Sequence, residues 1–229
     1  MRTLLVAAPL CSGLVDIVGD EAHHGRSVLR LGEGDVVRLA DGAGAVAEGV
    51  VRRVGRHAIA IEVGPVDQPP SGPAQHLTVA VAAPKGDRFA DLVRGLTELG
   101  VGAILPLICE RGERIPGLDR ARRVAVEALK QCRRPVLPRI GPVADFSTLK
   151  ALPGRRIVLD PAGGPAQPGD PSPTVLIIGP EGGFTYDERQ ALLADGAVAV
   201  RLATPVLRIE TAALAAAAVW SAAWEGVHP

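Results

Sequence analysis

Residues 175–184 read VLIIGPEGGF, an apolar run that stops at Gly179-Pro180-Glu181-Gly182-Gly183. The run 175–178 predicts a buried strand, and Thr185-Tyr186-Asp187-Glu188 predicts the capped start of a helix. A strand that ends in glycines and leads into a helix is where α/β proteins hold ligands. Glycine lets the backbone approach a ligand closely and present its N–H groups. The loop is not a Walker A loop, because no Lys-Ser or Lys-Thr follows the glycines, and it is not the GxGxxG dinucleotide fingerprint. Taken alone, it also reads as a tight turn with no ligand. One helix and one strand later comes LATPVLRIETA at 202–212, and the pairing of the two segments favours a ligand site. A third candidate, His23-His24, invites a metal reading. Adjacent side chains diverge, however, and no Cys or carboxylate spacing nearby completes a ligand set. No metal is therefore expected, and a buried or capping histidine is the default.

The elements that must position these residues alternate in type from residue 77 onward. Strands are predicted over 77–82, 104–108, 157–159, 175–178 and 198–202. Phe89, Leu92, Val93, Leu96 and Leu99 fall on one face of a helix that ends at Gly100. A second helix over 120–134 buries Ala121, Val124, Ala125, Ala128 and Cys132, with Arg123, Glu127, Lys130 and Arg134 on another face. A helix over 185–194 takes Thr185 as N-cap and Glu188 at the capping-box position, with Gly196 beyond its end. An alanine-rich helix closes the chain over 209–224. This alternation predicts an α/β domain with a mostly parallel sheet over 76–229. The run 161–173, with five prolines and three glycines, predicts an irregular loop.

The first 68 residues read differently. Short apolar runs at 36–39, 46–54 and 57–63 alternate with the turn signals Gly32-Glu33-Gly34-Asp35 and Asp41-Gly42-Ala43-Gly44. A short helix over 21–29 is the one exception. Several short strands in so few residues predict a small β-barrel over 1–68. The run 65–75 holds four prolines and few apolar side chains, and it predicts the linker.

Aromatics make up only 3% of the 229 residues, so the core rests on Ala, Val, Leu and Ile. The formal net charge is zero, which argues against an indiscriminate nucleic-acid coat. Residues 110–139 nevertheless carry nine Lys/Arg against four Asp/Glu, while residues 1–70 carry seven against nine. A local basic patch on a neutral protein suits a selective polyanion contact. Cys11, Cys109 and Cys132 form no CxxC pair and no disulfide framework, which predicts a reducing, cytoplasmic compartment. No signal peptide is expected, and the apolar stretch 212–223 is too short to span a bilayer.

The order of these motifs along the chain resembles the 16S ribosomal RNA uridine-N3 methyltransferase family of the SPOUT superfamily. IGPEGGF and VLRIETA carry the resemblance, together with His23-His24-Gly25-Arg26-Ser27-Val28-Leu29-Arg30, Asp41-Gly42, Lys85-Gly86-Asp87-Arg88, Thr97-Glu98-Leu99-Gly100-Val101, Glu110-Arg111 and the helix segment from Glu127-Ala128 to Gln131-Cys132-Arg133-Arg134. It implies an N-terminal PUA-like barrel, a C-terminal domain with a deep trefoil knot, and a homodimer. It implies S-adenosyl-L-methionine as methyl donor and 16S rRNA, or the small ribosomal subunit, as acceptor. It places the donor at Gly179, Pro180, Glu181, Gly182 and Gly183 and in the segment 202–208, at Leu202, Ala203, Val206, Leu207 and Arg208, with Leu159-Asp160 beside them. Leu202, Val206 and Leu207 would grip the adenine faces.

N3 of uridine is a poor nucleophile until its proton leaves. Arg208 is the candidate for stabilising charge on the base carbonyls, and Glu210 the candidate proton acceptor. A structural ion pair for Arg208 and a helix-dipole role for Glu210 are the alternatives. The resemblance supports RNA contact by His24, Arg26 and Arg30. The basic helix face suggests the same for Arg123, Lys130 and Arg134, with Arg111, Arg114 and Arg133 adding to the cluster; a solvated helix face is the alternative. Three departures from the family pattern stand out. Gly95 replaces a usual lysine, Ala203 a usual glycine, and Ile209 a common threonine. A positive φ at position 203 would strain alanine there. Two other functions stay open: a SPOUT methyltransferase with another acceptor (a ribose 2′-OH or a guanine nitrogen), and a non-catalytic RNA-binding assembly factor.

Overall fold

The computed structural model describes residues 1–7, 9–70, 72–84, 88–112 and 117–225. Lys85, Gly86 and Asp87 of the KGDR segment and Arg114 of the basic cluster lie outside the described residues. The chain divides into two compact units. One is Met1–Ser71 with Val126–Leu137, and the other is Gly72–Ala125 with Pro138–Pro229.

In the first unit, the strands β1 (Arg2–Leu5), β2 (Gly13–Val18), β3 (Val36–Ala40), β4 (Val46–Val54) and β5 (Ala58–Asp67) form one sheet in the order β1-β3-β4-β5-β2. Helix α1 (Gly19–Ser27) follows β2. All pairings are antiparallel except β1 with β3. Leu4, Ile17, Leu39, Val51, Ile59 and Ile61 come from all five strands and share one core, the packing of a rolled sheet. Strand β5 runs four residues past the expected end at Val63, into the predicted linker. Val66 and Asp67 pair with Ala47 and Val46, whereas Pro65 sits where the register shifts between Ala47 and Gly49. A proline without a ladder N–H is accommodated at such an irregularity.

The second unit opens with a 3-10 turn (Pro73–His76) and continues through β6 (Leu77–Ala82), α2 (Arg88–Glu98), β7 (Ala103–Leu107) and α3 (Leu118–Cys132), whose last turns pack with the first unit. Then come β8 (Arg139–Ile140), α4 (Phe146–Ala151), β9 (Arg155–Pro165), β10 (Thr174–Ile178), α5 (Tyr186–Ala194), β11 (Val198–Arg201) and α6 (Ile209–Glu225). The six strands are parallel in the order β11-β9-β10-β6-β7-β8. Every residue of β7 and β10 is buried, as expected of strands covered on both faces.

After the edge strand β11 the chain turns back through 202–208, and α6 packs against α2, β6 and β10 near the sheet centre. This return brings the segment 202–208 back beside the end of β10. α6 comes close to α2 at Gly95, where a Cβ would stand 2.6 Å from Leu214 Cδ2 and that side chain would have to shift.

The predicted loop at 161–173 is shorter than expected, because β9 extends to Pro165. β11 pairs with Ile157 and Val158, then resumes at Gly164 and Pro165. Residues 159–163 bulge out between these two anchored stretches.

Candidate functional site

The site begins where β10 stops. Gly183 donates its N–H to Pro180 O at 2.8 Å and adopts φ +69°, a conformation that favours glycine. A Cβ on Gly179 would stand 2.9 Å from the Phe184 ring. Phe184 in turn packs against Phe146, with ring centroids 6.0 Å apart. Glycine at 179 therefore lets the aromatic ring fold back under the loop.

Thr185 caps α5 as expected, accepting from Glu188 N–H at 3.3 Å while Glu188 Oε2 accepts from Thr185 N–H at 2.8 Å. The other carboxylate oxygen of Glu188 accepts from Glu110 N–H at 2.6 Å. Arg111 Nη1 donates to Gly182 O at 3.1 Å. The glycine loop is thus tied to the segment that follows β7.

The glycine loop faces the return segment 202–208 and the bulge of β9 across a cleft of about 250 Å³. Of the residues expected to hold a cofactor, Leu159, Gly179, Pro180, Glu181, Gly183, Leu202, Ala203, Val206 and Leu207 line it. Gly182 and Arg208 do not. Gly182 faces Arg111 instead. Arg208 is exposed, and among the described residues no side chain hydrogen bond or ion pair engages its guanidinium. Ala203 is free of the strain raised by its sequence. Among described non-glycine residues only Arg30 and Arg133 have positive φ.

Pro205 and Asp160 fall within the segments that the resemblance named, whereas sequence reasoning missed Ile178, Phe184, Ile209 and Arg189 in the cleft wall. Ile178, Phe184, Pro205 and Ile209 add apolar surface, which explains why isoleucine serves at position 209. Asp160 and Arg189 also line the cleft and are ion-paired through Arg189 Nε and Asp160 Oδ2. Asp160 Oδ1 accepts from Ala162 N–H at 2.8 Å. Burial alone would push the Asp160 carboxyl up, but the Arg189 hydrogen bond, the Ala162 N–H and the Arg189 charge together hold it below the usual carboxylate range. Nothing in the spacing of Asp160 and Arg189 signals this pair. It follows only from the register that sets α5 over β9.

Glu210 departs from its expected place. It lies in the first turn of α6, is absent from the cleft lining, and approaches Arg88 Nη1 at 3.1 Å through Oε1. Both of its oxygens are buried and lack directed hydrogen bonds, so the approach is an ion pair outside hydrogen-bond angles. The same Arg88 nitrogen lies 3.2 Å from Glu181 Oε1. A carboxylate held in this way behind the wall is not placed to take a proton from a base in the cleft.

The candidate RNA-binding residues divide between the units. His24, Arg26, Arg30, Arg133 and Arg134 belong to the first, and Arg111 and Arg123 to the second. Arg26 donates to Arg56 O at 2.7 Å. Arg30, Arg123 and Arg133 are exposed, whereas His24 and Arg134 are half-buried. Lys130 is not part of a solvated face. Its side chain is 7% exposed and pairs with Glu21 Oε2 at 3.2 Å and Glu127 Oε1 at 2.9 Å, which makes it structural. Among the described residues no group of three or more His, Cys, Asp or Glu gathers as a metal site. No helix among them is long and apolar enough to cross a membrane.

Residues 71–221 match the RNA methyltransferase domain family, and residues 17–64 match the RNA methyltransferase PUA domain. The chain is 34% identical over 242 residues to ribosomal RNA small subunit methyltransferase E of Mycobacterium bovis, covering 93% of this chain and 90% of that one. The chain belongs to the ribosomal RNA small subunit methyltransferase E family. The member from Synechocystis sp. is 32% identical, with 93% of this chain and 75% of that one covered. The methyltransferase E structure from Neisseria gonorrhoeae, bound to S-adenosyl methionine, superposes with a TM-score of 0.87 at 27% identity, covering 98% of both chains. A Legionella pneumophila methyltransferase in complex with the same cofactor gives 0.88 at 26%, covering 97% of this chain and 98% of that one. The fold is therefore the SPOUT-type parallel sheet with an N-terminal PUA-like domain, as the resemblance to the uridine-N3 methyltransferase family implied.

Proposed function

We propose that this chain transfers a methyl group from S-adenosylmethionine to N3 of a uridine in 16S ribosomal RNA. One observation carries the reading: 179–183 and 202–207, separated by a helix and a strand, meet across a single largely apolar cleft. Its residues fit an adenosine. Ile178, Leu202, Val206 and Leu207 suit the flat faces of the base, the glycine-loop backbone suits its edge, and the Asp160 carboxylate suits a hydroxyl. When bound, S-adenosylmethionine supplies an electrophilic methyl on its sulfonium sulfur. The cleft residues hold and orient that donor, so positioning is their main contribution.

Arg208 follows the cleft segment directly, and its exposed guanidinium is available to stabilise negative charge on the uracil carbonyls. Glu210, engaged by Arg88, takes a positioning role in this reading. Arg26, Arg30, Arg123, Arg133 and Arg134 supply cationic contacts to the RNA backbone, and His24 a polar one. The non-catalytic alternative rested on strain at Ala203, and the ordinary φ of that residue removes its motive. The acting form is a cytoplasmic homodimer, in keeping with three free cysteines and with Val206, an apolar side chain 81% exposed at the cleft.

The test incubates the purified protein with labelled S-adenosylmethionine and small ribosomal subunits, then identifies the methylated nucleoside by mass spectrometry. N3-methyluridine is expected. A ribose-methylated nucleoside or a methylguanine would establish the other-acceptor reading. A chain that fails to bind millimolar cofactor in calorimetry would restore the non-catalytic one. Sedimentation of the same sample as a monomer would remove the homodimer.

A further inference from the structure

Arg88 opens α2, far along the chain from the two segments that form the cleft. One of its nitrogens, Nη1, lies 3.2 Å from Glu181 Oε1 and 3.1 Å from Glu210 Oε1. Glu181 lines the cleft from the glycine loop. Glu210 does not line it, but its neighbours Ile209 and Ala212 do, at the end of the return segment. A single guanidinium thus touches Glu181 in one wall and Glu210 directly behind the other. We propose that Arg88 is a positioning residue that braces the two walls of the cofactor cleft against each other. The proposal rests on the reading of that cleft as the S-adenosylmethionine site.

The two contacts are unequal. The Glu181 side chain is 48% exposed and Arg88 is 37% exposed, so solvent screens that pair and it contributes little alone. Glu210 is 18% exposed, with both oxygens buried and without directed hydrogen bonds. A carboxylate in that position depends on a nearby cation, and losing the cation leaves a buried charge uncompensated. Glu210 is therefore the fixed anchor and Glu181 the adjustable one. This arrangement holds the start of α6 firmly and allows the glycine loop to settle on a ligand. It also accounts for the acidic residue inside GPEGG, which a phosphate-binding loop would avoid because it repels anions.

The experiment combines calorimetry with S-adenosylmethionine and amide hydrogen exchange on the ligand-free protein, for wild type, Arg88→Ala, Glu181→Gln and Glu210→Gln. Arg88→Ala should weaken cofactor affinity about tenfold, the change that marks a lost wall contact. Its kcat at saturating cofactor should stay within about threefold of wild type, since a positioning loss falls on binding. Exchange should quicken in 179–183 and 202–208 together. Glu210→Gln should reproduce most of the affinity loss, Glu181→Gln less, and the Arg88→Ala/Glu210→Gln double variant should be no weaker than Arg88→Ala. Should Arg88→Ala not fold, Glu210→Gln decides, because it removes the charge and leaves none buried. Wild-type affinity in Glu210→Gln, or faster exchange in only one segment, would overturn the brace. Wild type that binds no S-adenosylmethionine would overturn the cofactor reading instead, and the exchange data would still decide the brace.

Discussion

Arg111 donates from Nη1 to the carbonyl oxygen of Gly182 at 3.1 Å, so a cation expected on RNA is turned toward the glycine loop. A charged donor on a carbonyl is stronger than a neutral one, and partial exposure weakens it. Arg111→Ala is expected to raise the Kd for S-adenosylmethionine about threefold while leaving the salt dependence of RNA binding unchanged. Calorimetry and filter binding on the same variant check both parts. A flattened salt slope would return Arg111 to the RNA face.

Arg123 and Arg134 are the cations that the proposed function sets against RNA phosphates. Each phosphate contact on single-stranded nucleic acid contributes to the slope of log affinity against log salt. Arg123→Ala with Arg134→Ala should therefore lower the slope magnitude by about 1.4. Binding measured across a salt series gives the answer, and an unaltered slope would mark these residues as merely solvated.

Glu188 serves two N–H groups, those of Thr185 at 2.8 Å and Glu110 at 2.6 Å. Thr185→Ala removes one cap and should cost about 1 kcal/mol in urea unfolding. Glu188→Ala orphans two donors and should cost more than Thr185→Ala. Equal losses would show that the Glu110 bond adds nothing.

Burial, and then the nearby Glu188 charge, push the Cys109 thiol up to about 12 from 9.0. Between those values the folded chain keeps a proton that the unfolded chain releases, so this group lowers stability as pH rises above 9. Cys109→Ala should flatten the alkaline limb of a stability profile. At pH 8 a disulfide reagent should label exposed Cys11 and spare Cys109 in the folded protein. Rapid labelling of Cys109 in the folded state would contradict its burial.

The parallel sheet was legible because its strands are apolar runs and its helices carry clear periodicity. Leu92, Val93 and Leu96 are buried on α2 as their spacing requires, and Thr185 with Glu188 forms the capping box that the residue order announced. The cleft was legible only in part. GPEGG and LATPVL signal themselves through glycine and proline, whereas Asp160 and Arg189 meet only after α5 is laid over β9. Arg88 signals itself only through its motif, because its partners lie more than ninety residues away in sequence. Prolines misled twice. Pro65 and Pro165 read as loop residues, yet both lie within strands, beside irregular pairing. The burial of Glu210 and its pairing with Arg88 are invisible in a one-dimensional string.

The interrupted pairing of β9 with β11 makes the stretch 159–163 a captive loop. Val158 and Gly164 are both pinned to β11, by Ala199 and Val200. Residues added or removed between those pins change the contour of the cleft wall without slipping the register of the sheet. The cleft can therefore be recut at Leu159, Asp160 and Pro161 while the scaffold around it stays as it is.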